Sequence, residues 1–224
     1  MGCAAPNPLH WEDLRTRPSE MVLRRKGVKE AALGKAFEIT FLDAAYLVDP
    51  HRETITELFP EPNRPLSEAF QILLIRYLVA EYGGPADGRD VSEKDLPGGV
   101  TFFQGPHALH VSPITKRFGD DPTAFLELGR AFGGEVRSYG DGSLRFLPFP
   151  EIPVTYVLWR ADEEFPASVS VLFDASITRW FELDMVFTLV MVLTERICED
   201  SDGKATTEGR SVLKNAPSPR PPSP

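Results

Sequence analysis

Apolar and polar residues alternate strictly in Phe37-Glu38-Ile39-Thr40-Phe41, which predicts a half-buried strand. Tyr46-Leu47-Val48 reads as a second strand, broken by Asp49-Pro50. Glu53 to Phe59 reads as a third, and short links make the three an antiparallel meander. The period then changes. Leu66, Phe70, Leu73, Leu74, Tyr77 and Leu78 recur at helical spacing, so a helix is expected over 66–82, stopped by Gly83-Gly84-Pro85. Short helices are expected over 113–118 and from Asp121-Pro122 to about Phe132. Val136 to Pro148 reads as a hairpin turning at Gly140-Asp141-Gly142. Val154 to Trp159 is almost continuously apolar, which predicts a central strand with Trp159 buried. Ala167 to Phe173 alternates and should pair back onto it. A buried helix is expected over 184–197. Upstream, Trp11 to Ala32 reads as one or two helices, and Ala86 to Asp95 as a polar surface loop.

Strands that follow one another through short links predict an α+β fold with antiparallel sheet and packed helices. Residues 1–10 are expected to be a flexible N-terminus, 11–198 a single domain, and 199–224 a disordered tail rich in proline and serine.

Composition narrows the function. The formal net charge of −9 opposes broad binding to phosphate backbones, so no nucleic-acid partner is expected. Arg24, Arg25, Lys26 and Lys29 form one basic cluster, read as a solvated helix face. The longest apolar run, 185–193, broken only by Thr188, is far short of the roughly 20 residues a bilayer span needs, so no membrane partner is expected. Cys3 and Cys198 form no metal-ligand spacing and no disulfide framework, and the expected location is the cytoplasm. No resident metal is expected, and no cofactor is assigned. The chain carries no nucleophile elbow, kinase set or zincin motif, so the catalytic residues stay unassigned.

One stretch stands apart. Residues 96–109 hold three glycines, two prolines, two adjacent phenylalanines and a histidine. Such a mixture predicts a bent, packed loop with an imidazole at its exit. Gly98, Gly99 and Gly105 could present backbone N–H groups to an anion, but they match neither the dinucleotide nor the phosphate-loop spacing; a tight turn against Phe102 and Phe103 is the more economical reading. His107 could be a ligand or a base, with His110 three residues on, or a loop histidine bonded to backbone. Asp174 directly follows an apolar strand and could cap the next turn or do acid–base work. The acids Asp162, Glu163 and Glu164 read as a solvated turn. The candidate ligand-binding set is therefore Gly98, Gly99, Phe102, Phe103, Gly105, His107 and Asp174.

Two blocks carry a resemblance: Leu96-Pro97-Gly98-Gly99-Val100-Thr101-Phe102-Phe103-Gln104-Gly105-Pro106-His107, and Leu158 to Ala167 followed by Leu172-Phe173-Asp174-Ala175-Ser176. Together they resemble the prokaryotic domain of unknown function family 3786, from about Trp11 to Ile197. The resemblance implies a prokaryotic protein and no particular reaction. Some relatives look as if they carry a cysteine-rich iron–sulfur module of the kind seen beside corrinoid proteins, which implies a link to tetrapyrrole or iron–sulfur metabolism. This chain lacks the cysteines of an intrinsic cluster.

Three functions follow from these readings. The first is a non-catalytic binding or accessory protein with a pocket at the loop 96–110, with His107 pointing into it, whose partner is a small molecule or a protein. The second is an enzyme using His107 with a carboxylate such as Asp174. The third is a protein-interaction module without a small ligand.

Overall fold

The computed structural model describes residues 6–31, 36–59 and 65–203. It is α+β, with two antiparallel sheets and helices packed against them. The first sheet has strand order β1 (Val28–Glu30), β2 (Phe37–Phe41), β3 (Ala44–Asp49) and β4 (Thr54–Phe59). Phe37, Ile39 and Phe41 of β2 are buried, as their alternation requires, and Phe37 pairs with Val48 of β3. The expected meander is therefore present, with one strand more. β1 lies where a helix was expected. After α1 (Pro8–Thr16) the next helix, α2 (Ser19–Val22), makes a single turn. Gly27 then takes a φ of +77°, a left-handed conformation that reverses the chain onto the edge of β2.

The second sheet has the order β5 (Asp90–Ser92), β9 (Ser168–Asp174), β8 (Ile152–Trp159), β7 (Gly142–Phe149) and β6 (Glu135–Arg137). β8 is central, as expected. β5 falls inside the segment expected to be loop. Its three residues are too few to show an alternation. One face of this sheet is fully buried through Leu144, Phe146, Val154, Tyr156, Leu158 and Phe173. Against it pack α5 (Ser112–Phe118), α6 (Pro122–Ala131) and α7 (Leu183–Gly203). The buried Tyr156 hydroxyl donates to the Val190 carbonyl at 3.2 Å and shares a 3.0 Å bond with Thr194, which fixes β8 to α7. α3 (Glu68–Val79) packs on α7 and α1, and a one-turn helix, α4 (Gly99–Phe102), precedes α5. α7 continues past the expected end at Ile197 to Gly203; the rest of the expected tail, 204–224, lies outside the described residues.

Two side chains correct the sequence reading. Trp159 ends β8 on the face turned from the core, opposite Ser168, and is 48% exposed. An apolar run places every residue inside only while both faces of the strand are covered, and that cover ends before Trp159. Trp159→Ala should therefore shift thermal stability by less than about 1 kcal/mol, the scale of surface substitutions, as read by denaturant unfolding. A loss of several kcal/mol would return Trp159 to the core.

Arg25, expected on a solvated face, is buried. Its guanidinium donates to the carbonyls of Met21 (2.6 Å) and Val22 (3.2 Å) at the end of α2, and to those of Tyr77 (2.8 Å) and Ala80 at the end of α3. Helix C-termini leave carbonyls unpaired, and one arginine here serves two such ends. Beside it Tyr77 stacks on Phe149 at 3.9 Å and on Trp180 at 5.5 Å, so α3, β7 and the segment before α7 meet in one aromatic pile. Close approach explains Gly83: a Cβ there would lie 2.6 Å from the indole of Trp180.

Candidate functional site

The glycine-rich segment forms two single turns joined by a bend. Leu96 is buried and anchors it. Gly98 takes a φ of +78° as it enters α4, and a Cβ on Gly99 would fall on the carbonyl oxygen of Glu93. These glycines therefore serve a left-handed turn and a close backbone approach, both of which a side chain opposes. Gly105 opens a 3₁₀ turn, Gly105–His107, and the His107 N–H donates to the Gln104 carbonyl at 3.1 Å.

Phe102 and Phe103 meet edge to face at 5.0 Å, and their roles differ. Phe102 stacks on the His107 ring at 4.7 Å, and the edge of that ring meets Phe187 of α7 at 6.0 Å. His107 is exposed, and its imidazole belongs to this surface aromatic stack. Phe103 instead faces a groove of about 220 Å³ between the 103–111 segment and β9. Ala108, Leu109 and Val111 continue that wall, and Val169, Ser170 and Val171 form the opposite one. His107 and the three glycines are absent from the lining. The loop thus walls a groove, but with residues other than its histidine.

Asp174 lies at the other end of β9 and is 1% exposed. Its carboxylate accepts from the N–H groups of Asp87 (2.8 Å), Gly88 (2.7 Å) and Ser176 (3.0 Å). These bonds clasp the 85–89 segment to the end of the sheet and cap the 3₁₀ turn Ala175–Arg179. Burial alone would raise the Asp174 pKa; the bonds from Ser176, Asp87 and Gly88 outweigh it, and the pKa is lowered. Among the described residues no hydrogen bond or ion pair joins Asp174 to His107.

A carboxyl with a lowered folded pKa stabilises the fold above the ordinary aspartate range and loses that contribution as pH falls through the folded value. Asp174→Ala should lower stability by about 1–3 kcal/mol at neutral pH, because it strands the buried Ser176 N–H and releases the part-buried N–H groups of Asp87 and Gly88. The deficit should shrink at the acid end of a pH series of unfolding curves. A deficit independent of pH would separate the clasp from the charge.

Two other concavities contain paired charges. In a groove of about 360 Å³ beside Trp180, Arg17 pairs with Glu81 at 3.3 Å, and Arg76 reaches Asp13 at 4.0 Å. Glu151, 3% exposed, sits under a groove of about 290 Å³ and accepts from the Tyr82 hydroxyl at 3.0 Å. Among the described residues no group of three or more His, Cys, Asp or Glu side chains could hold a metal ion. None of the described helices is long and apolar enough to cross a membrane.

Sequence reasoning missed Ala108, Leu109, Val111, Val169 and Val171 as groove residues. The alternation in 167–173 marked the strand, and Ser92 with Asp95 three residues on is the one local signal of where its neighbour β5 stops.

This arrangement is an α+β domain with a small groove of mixed apolar and polar lining beside a sheet edge. A family model described as a domain of unknown function (DUF3786) matches residues 18–196, and the chain belongs to that family. No curated protein and no solved structure matches it.

Proposed function

We propose that this chain is a non-catalytic binding protein whose ligand lies in the groove between the 103–111 segment and β9. The observation that carries this reading is the lining itself. Phe103, Leu109, Val111, Val169 and Val171 line it, and Glu93 is the one charge among its lining residues. Ser170 and Glu93 add polar groups beside these apolar side chains, and apolar side chains with a few placed polar groups are the usual make-up of a binding site. The glycine turns at 98 and 99 hold this wall on the sheet scaffold, as rigid loops at binding sites do. Small-molecule sites measure roughly 300–1,000 Å³. A groove of about 220 Å³ suits a narrow extended ligand better than a tetrapyrrole.

Small branched-aliphatic and aromatic fragments, screened by NMR chemical-shift mapping, test the reading. The shifts should centre on Phe103, Leu109, Val111 and Val169. Ala108→Trp, at an exposed wall position, should abolish them. Fragments that gather instead around Arg179 and Trp180, and leave the groove residues unmoved, would overturn it.

A further inference from the structure

We infer that the groove receives an extended peptide of a partner protein, which adds as a short strand to the open edge of β9; this rests on the groove being the binding place. In an antiparallel strand every second residue turns both its N–H and its C=O to the same side. Ala175 donates to the Arg89 carbonyl at 2.9 Å, on the β5 side, so Phe173, Val171 and Val169 face that side too. β5 covers this edge only from Asp90, opposite Asp174, to Ser92, opposite Leu172.

β5 stops there for a local reason. Asp95 accepts from the Ser92 N–H at 2.9 Å and from its hydroxyl at 2.7 Å, which turns the chain into a 3₁₀ turn, Glu93–Asp95. β9 continues for four residues beyond the last pair, and β8 pairs with it down to Ser168. Val169 thus presents its N–H and C=O toward the groove with no main-chain partner among the described residues. Val171 stands at the boundary. An unpaired strand edge selects a main chain, because only another strand offers donors and acceptors at that spacing.

The walls state the peptide's chemistry. Phe103, Leu109 and Val111 face Val169 and Val171, so its central side chains are apolar and β-branched. A peptide that continues the line of β5, antiparallel to β9, places its first residue beside Glu93. That residue is a lysine or arginine.

The test is fluorescence polarisation of a labelled synthetic peptide, lysine followed by alternating valine and threonine, titrated with the full chain. Saturable binding is expected. N-methylation of alternate peptide nitrogens should weaken it about tenfold, the loss of a hydrogen bond or two. Replacing the leading lysine with glutamate should also weaken it, and Ala108→Trp should remove it. Binding indifferent to N-methylation would overturn strand addition while leaving the groove as the binding place. No binding, with fragments still mapping to the groove, would overturn the peptide alone; loss of both would overturn the groove. Binding that appears only after Val212 and Leu213 are replaced by aspartate would make the chain's own C-terminal segment the occupant and overturn the partner. A dimer dispersed by Ala108→Trp would make the occupant a second copy, with the same consequence.

Discussion

Arg25→Ala lowers stability by about 3–5 kcal/mol, a large share of what a domain of this size has. The guanidinium bonds carbonyls of residues 21, 22, 77 and 80, and no carboxylate among the described residues pairs with it. Burial lowers its pKa, yet a guanidinium keeps its charge at any ordinary pH. Removing it leaves two helix ends with unpaired carbonyls, those of residues 22 and 77 buried and those of 21 and 80 partly so. Arg25→Lys should recover only part of the loss, since an ammonium lacks the planar fork that spans both ends. Urea unfolding with an unchanged slope measures this. An Arg25→Ala protein within about 1 kcal/mol of the parent, the scale of surface substitutions, would mean that the two helix ends find other partners.

Tyr77→Ala should cost a similar amount, about 3–5 kcal/mol, for a different reason. The ring is fully buried between Phe149 and Trp180, and its loss opens a cavity where α3, β7 and the approach to α7 meet. Tyr77→Phe separates ring from hydroxyl. The hydroxyl makes only a 3.5 Å contact with the Lys26 carbonyl, so this change should cost less than about 1 kcal/mol. The Arg25 and Tyr77 losses should not add, because Arg25 lies 5.9 Å over the Tyr77 ring and bonds its carbonyl. A double-mutant cycle reads that coupling directly.

Much of the fold was legible because its signals are periodic. The alternation at Phe37–Phe41 and the helical spacing of Phe70, Leu73, Leu74 and Tyr77 each arise from one buried face. β1 and β5 were not legible, since strands of three residues have no period and owe their state to the neighbour they join. Arg25 deceived for a related reason. A basic run marks a solvated face unless tertiary contacts bring helix ends to it, and residues 77 and 80 are distant in sequence.

The candidate site was legible by region and not by residue. The glycines and prolines of 96–107 marked a rigid bend, and the bend is present. Which of its side chains face the groove depends on β9, some sixty residues on. Phe103 faces it, and His107 stacks on Phe102 at the surface. Asp174 was assigned two roles from its place after a strand, and its bonds are those of a cap.

Strand addition in the groove requires an open edge at β9, and amide hydrogen exchange of the unliganded protein tests it most directly. The Phe173 amide, facing β5 within the ladder that pairs it with Val91, should exchange slowly. The Val169 amide, on the same edge beyond the last β5 pair, should exchange at rates near those of a loop, and slow when the lysine-led peptide is added. A Val169 amide as protected as that of Phe173 in the free protein would show the edge already covered and contradict the account.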